Sequence, residues 1–136
     1  MKKIGLGAHG FIDYALGLLL IIAPALFNFS STAETWTLVA VGIITLGYCL
    51  LTDYRLGVLK IISTPTHLLL DIVTGMFLAI SPWLFGFRGN TWAFHLITGS
   101  LLVFTSLFTN PRPVYRLIKY RRRKLHKPIY RTYSIR

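Results

Sequence analysis

Apolar residues run in four long blocks, roughly residues 8–29, 35–51, 66–87 and 91–109, and polar residues gather between and after them. Within each block the apolar positions are continuous and do not alternate. That predicts helices, because a strand with one face in water or in a barrel lumen would alternate with a period of two. Each block can cover a hydrocarbon core of about 30 Å, which takes about 20 helical residues or a few fewer. A helix in lipid also satisfies its own backbone hydrogen bonds. The expected architecture is therefore an all-α bundle of four transmembrane helices.

The few polar residues inside the blocks carry a second pattern. His9, Asp13 and Gly17 stand at steps of four, as do His67, Asp71 and Gly75, and residues so spaced lie along one helix face. The match extends further: HGFIDYALGLLLIIAPALFNF from His9 to Phe29 and HLLLDIVTGMFLAISPWLFGF from His67 to Phe87 agree at nine of 21 positions. Downstream, Trp36 and Gly42 answer Trp92 and Gly99 after a one-residue slip. Thr52-Asp53-Tyr54-Arg55 answers Thr109-Asn110-Pro111-Arg112. The chain reads as a tandem duplication of a two-helix unit, with repeat one at about 4–55 and repeat two at about 62–110. Together these form a membrane domain over 1–110, followed by a separate tail, 111–136.

Local signals refine the helices. Pro24 and Pro82 each remove a backbone hydrogen bond and crowd the preceding turn, so a kink is expected at both. Asn28 and Gly86 tolerate the left-handed conformation that ends many helices. Trp36, Trp83 and Trp92, with nearby phenylalanines, are expected as anchors at the membrane interface. Gly17 and Gly75 are expected to let the first and third helices approach closely. Thr64-Pro65 predicts a helix start with Thr64 as N-cap. The connection 52–65 is expected along the membrane surface, with Leu56, Leu59 and Ile62 turned toward lipid.

Composition agrees with the bilayer. The 136 residues are 54% apolar and only 14% charged, where soluble domains average about 25% charged, and the mean hydropathy is +0.59. The net charge is +11, yet 14 of the 15 Lys and Arg residues fall in the N-terminus, the middle connection or the tail. By the positive-inside rule this places both termini and the middle connection in the cytoplasm. A topology signal explains the basic balance and disfavours nucleic acid as a partner. Lys2-Lys3 before an apolar run resembles a secretory leader, but His9 and Asp13 interrupt the run and its counterpart is internal, so it reads as the first spanning helix. The single cysteine, Cys49, forms no intrachain disulfide, and no Cys/His zinc motif is present.

The tail changes character abruptly after Asn110-Pro111-Arg112-Pro113. Residues 114–136 hold nine Lys or Arg and no acidic residue. Val114, Leu117, Ile118 and Leu125 fit one helical face, so the tail is expected to lie on anionic lipid headgroups, at about 1 kcal/mol per basic residue. The expected partners are thus the lipid bilayer, those headgroups and further copies of the chain in a homo-oligomer.

With Ser81-Pro82-Trp83, the flanking Leu84-Phe85-Gly86-Phe87 and the upstream His67-x3-Asp71-x3-Gly75, residues 4–110 resemble the SPW repeat family of small bacterial membrane proteins. The first unit departs from the triplet, reading Ala23-Pro24-Ala25, which keeps the proline and loses the tryptophan. The resemblance implies a multi-pass protein of the bacterial inner membrane with one such motif per two-helix unit. It implies no biochemical activity.

Candidate chemistry is confined to His9, Asp13, His67 and Asp71. An aspartate inside a spanning helix costs about 2.5–3.5 kcal/mol at the centre and less near the ends, so such residues face the bundle interior and have partners. The two units enter the membrane in the same direction, so all four side chains are expected in one polar cluster. Its place is the cytoplasmic end of the interface between helices one and three. No nucleophile–base arrangement, phosphate loop or cofactor motif accompanies them, and His95 is expected to be structural or solvated. The leading expectation is a non-enzymatic structural or interaction role without a cofactor. The alternatives are an ion, proton or small-molecule transporter using the His/Asp pairs and, third, a membrane-embedded enzyme.

Overall fold

A computed structural model describes residues 4–27, 29, 31–86 and 91–111. The expected tail contacts, the Asn28 helix end and the Phe87 anchor lie outside these. Four helices follow in order: α1 (Leu6–Phe27), α2 (Thr32–Leu51), α3 (Thr64–Leu84) and α4 (Trp92–Phe108). The fold is an all-α bundle. Three helices are long and apolar enough to cross a membrane, and α4, with 17 residues, is a shorter apolar helix.

The helices form a ring in which each packs against its chain neighbours, most closely within the pairs α1–α2 and α3–α4. Glycines make those close crossings. A Cβ on Gly42 would stand 2.7 Å from the Gly17 carbonyl oxygen, and one on Gly75 would stand 2.7 Å from that of Gly99. This corrects the expectation that Gly17 and Gly75 bring α1 and α3 together. Each glycine instead faces a glycine of the next helix, leaving α1 and α3 on opposite sides of the ring with side chains between them. A glycine lets two backbones approach but does not name its partner, and short connections favour pairing with the neighbour.

The distribution of polarity is inside out. Phe11, Ile61, Leu18, Ile43, Leu69 and Phe104 are among many large apolar side chains that face outward, while His9, Asp13, Thr45, Asp71, Thr98 and Ser106 are buried. Lipid dissolves the outer surface and leaves polar groups to pair with one another inside. An apolar layer of Leu20, Leu38, Val41 and Leu78 fills the middle of the bundle. A polar layer lies toward the end where α1 and α3 begin.

That end is tied by short backbone bridges. Asp53 N–H donates to the Ile62 carbonyl (2.8 Å), and Ile61 and Ile62 donate to the last carbonyl of α2, on Leu51 (2.7 and 2.9 Å). Val58 and Leu59 donate to Leu50 (2.8 and 3.1 Å), so the connection folds back over carbonyls that a helix end leaves without partners. Across the ring, Ile4 N–H donates to Phe108 (3.2 Å) and Asn110 N–H to Ile4 (3.1 Å). Leu56 and Leu59 are exposed, whereas Ile62 is half-buried, its backbone bonded to the end of α2. Tyr54, in the same connection, is buried over Gly10, whose missing side chain makes room for the phenol ring. Burial pushes the Tyr54 hydroxyl well above its ordinary pKa, so it stays neutral.

Two helix signals resolve differently from the sequence expectation. The N-cap of α3 is Ser63, not Thr64: Ser63 is extended (φ −70°, ψ 150°) and its hydroxyl accepts from Thr66 N–H at 3.4 Å, while Thr64 is already helical. Gly86 does take the left-handed conformation (φ 67°) just after α3. Pro24 and Pro82 lie in the closing turns of α1 and α3 and do not end either helix there.

Candidate functional site

His9 and Asp13 occupy the opening turns of α1, and His67 and Asp71 those of α3. The helices face each other across the ring, and the four side chains meet at its centre with no more than 1% exposure. Each histidine reaches both carboxylates. His9 Nε2 lies 3.1 Å from Asp13 Oδ2 and 3.0 Å from Asp71 Oδ2; His67 Nε2 lies 3.2 Å from Asp13 Oδ2 and 3.4 Å from Asp71 Oδ2. The shortest contact is therefore between the helix pairs, not along one helix. The imidazoles meet edge to face, with ring centres 5.5 Å apart.

The neighbouring helices close the site. Tyr48 of α2 donates its hydroxyl to Asp71 Oδ1 at 2.6 Å, and Ser106 of α4 donates to Asp71 Oδ2 at 2.9 Å. Thr52, just past α2, gives its one hydroxyl proton to the Tyr48 carbonyl at 2.6 Å. Its oxygen can then only accept, and it lies 2.9 Å from His67 Nδ1. The hydrogen-bond network thus assigns a proton to His67 Nδ1 and turns Nε2 toward the carboxylates. By contrast, His9 Nδ1 and Asp13 Oδ1 are buried without a hydrogen-bond partner among the described residues.

The charge balance of this centre is demanding. Two carboxylates beside two neutral imidazoles would hold two negative charges out of water, and unpaired buried charges are strongly disfavoured. Two added protons or one divalent cation would neutralise it. One ring nitrogen or carboxylate oxygen from each of the four residues can serve as a ligand, and these atoms all lie within 4.8 Å of one another.

Sequence reasoning singled out the four central residues but not Tyr48, Thr52 and Ser106. Thr52 is visible as part of the matched Thr-Asp and Thr-Asn ends, and Ser106 as one of the small or polar residues Thr98, Gly99, Ser100, Thr105 and Ser106 of the fourth apolar block. Hydroxyls in membrane helices usually bond back to their own turn, as Thr98 and Thr105 do here. Nothing in the sequence distinguishes the three that reach the centre.

The remaining candidates lie elsewhere. His95 is buried near the start of α4, its Nδ1 3.3 Å from the Thr91 carbonyl, and the buried Glu34 stands on the same side of the bundle. Its position is interior rather than solvated. Trp36 (65%), Trp83 (63%) and Trp92 (44%) are exposed on the bundle surface, with Trp83 and Trp92 in ring contact at 6.2 Å.

Among known families, the model described as SPW repeat domain matches residues 7–109. Comparison with curated proteins and with solved structures gives no match.

Proposed function

The chain belongs to the SPW repeat family, and from that premise we propose a non-enzymatic structural or interaction role in the bacterial inner membrane. In this reading the protein spans the membrane four times, keeps both termini in the cytoplasm and arose by duplication of a two-helix unit. The buried His/Asp centre locks the two units together at the cytoplasmic end. The observation that carries this reading is the crossed contact, His9 to Asp71 at 3.0 Å and His67 to Asp13 at 3.2 Å, with every side chain buried. Charged groups sealed from water and reached from both units suit a tie better than a transport path, which must open to solvent. The tail completes the reading by resting on anionic headgroups. Asp13 Oδ1 and His9 Nδ1, without a hydrogen-bond partner among the described residues, favour the second reading, a site that takes and releases a cation or proton.

Thermal unfolding of the purified protein tests the tie. Asp13→Asn and Asp71→Asn should each lower the unfolding temperature well beyond Ile97→Ala, which alters a lipid-facing side chain. A substrate-dependent flux in proteoliposomes that requires Asp13 or Asp71, with stability unchanged, would replace the structural role by transport. For topology, thiols placed at Asn90 and Ser134 in a Cys49→Ser background should differ in labelling on intact cells. Labelling of Ser134 from outside would reverse the orientation.

A further inference from the structure

The centre of the bundle has the composition, spacing and surroundings of a ligand set. The four His–Asp separations run from 3.0 to 3.4 Å. A four-coordinate zinc ion with ligands at about 2.0–2.2 Å sets tetrahedral ligand–ligand edges of about 3.3–3.6 Å. The four His–Asp edges therefore fall at or slightly inside what such an ion requires, and the His–His and Asp–Asp edges, which lie within 4.8 Å, close to the same length when an ion draws the four ligands in.

The surroundings supply an independent observation. The Thr52 hydroxyl proton is committed to the Tyr48 carbonyl, so His67 carries a proton on Nδ1, and in the neutral imidazole Nε2 then offers its lone pair to the centre. A metal-bound histidine characteristically donates its other N–H to a fixed acceptor, and a ligating carboxylate is itself hydrogen-bonded. Asp71 meets the second condition through Tyr48 on Oδ1, which leaves Oδ2 facing the imidazoles, and through Ser106 on Oδ2 itself. On the other half, Thr109 at the end of α4 repeats the Thr52 arrangement: it is buried and gives its proton to the Thr105 carbonyl at 2.6 Å. Its oxygen is an acceptor of the kind that the buried His9 Nδ1 lacks among the described residues.

We propose that His9, Asp13, His67 and Asp71 together bind one divalent transition-metal ion of the zinc type, through Nε2 of each histidine and Oδ2 of each aspartate. Two nitrogens and two carboxylate oxygens suit such an ion; calcium and magnesium take six or more ligands, predominantly oxygen. The ion supplies the two positive charges that the paired carboxylates call for. All four positions are filled by protein, so the ion is structural, and it strengthens the proposed tie between the units.

Cobalt(II) is the direct probe, because a four-coordinate ion absorbs visibly far more strongly than a six-coordinate one. Tag-free, full-length protein is stripped with chelator in detergent and titrated with cobalt(II), then with zinc. The expected result is one cobalt per chain with the intense four-coordinate spectrum, displaced by zinc. The spectrum should be lost in His67→Gln and Asp13→Asn and kept in His126→Ala and Asp53→Asn. Thr52→Val should keep the spectrum and weaken the affinity about 10- to 100-fold, as removal of an outer hydrogen-bond partner does. A weak six-coordinate spectrum, no binding, or a spectrum that survives His67→Gln overturns the proposal. The wild-type spectrum decides even if the variants do not fold. A protein that binds no metal yet unfolds readily on Asp71→Asn overturns the metal and leaves the hydrogen-bonded tie in place.

Discussion

The two His/Asp pairs use the same residues at the same spacing, yet their surroundings differ. His67 and Asp71 are held on every side: Thr52 fixes one imidazole nitrogen, Tyr48 one carboxylate oxygen and Ser106 the other. His9 and Asp13 meet the opposite pair through Nε2 and Oδ2, but their outer atoms, Nδ1 and Oδ1, have no hydrogen bond among the described residues. The sequence match shows where the difference arises. Ser106 stands in α4 where Cys49 stands in α2, and Tyr48 answers Thr105, whose hydroxyl bonds back to its own helix. A weak thiol donor and a short hydroxyl replace two groups that reach a carboxylate. One pair is therefore a fixed frame, and the other has bonding capacity left over.

That contrast can be broken most directly at the aspartates. Asp71→Ala takes the carboxylate acceptor from Tyr48 and Ser106 and leaves both histidines with Asp13 alone, and loss of one partner from a buried charged pair costs about 3–5 kcal/mol. Asp13→Ala should cost visibly less, because one of its oxygens has no partner among the described residues. Equal shifts in unfolding temperature would show that the outer bonds do not matter.

A gentler cut is Tyr48→Phe, which removes one donor and keeps the ring edge to face with His67, centres 5.1 Å apart. A hydrogen bond to a charged group is worth about 1.5–3 kcal/mol. The corresponding Thr105→Val should change stability by less, since its hydroxyl serves only its own helix. Measured the other way round, the two substitutions would reverse the assignment of frame and open pair.

The smallest expected difference lies at the glycine crossings. A Cβ on Gly99 would stand 2.6 Å from Ala79 N and 2.5 Å from the Gly75 carbonyl oxygen, all backbone. On Gly17 the nearest atoms belong to the Leu46 side chain, at 2.8 Å, which can move aside. Gly99→Ala should therefore cost about 1–3 kcal/mol by overpacking and Gly17→Ala less, read as unfolding temperatures in the same detergent.

The helices and the four central residues were legible because their signals are periodic: continuous apolar blocks for the spans, and steps of four for the His/Asp faces. Whether those faces look at each other, at lipid or at a neighbour is a tertiary fact. Gly17 shows how this limits the reading. It lies on the same sequence face as Asp13, yet it meets Gly42 of α2, because one helix touches different partners at different depths. Glu34 shows it again, since a lone acid between two apolar blocks reads as part of an outer connection. It is in fact buried in the first turn of α2.

The bridges at the polar end bear on the order in which the chain can be written. Ile4 is hydrogen-bonded to Phe108 and Asn110 much as Ile62 is to Leu51 and Asp53, although only the second junction is continuous in sequence. The fold therefore has two equivalent seams, one closed covalently and one by hydrogen bonds alone. A circular permutant that opens between Val58 and Lys60, with a short linker from Asn110 back to Ile4, keeps both helix pairs and all four central residues. The same geometry lets each pair be made as a separate polypeptide, and the polar centre becomes the recognition surface by which two hairpins find each other within the bilayer.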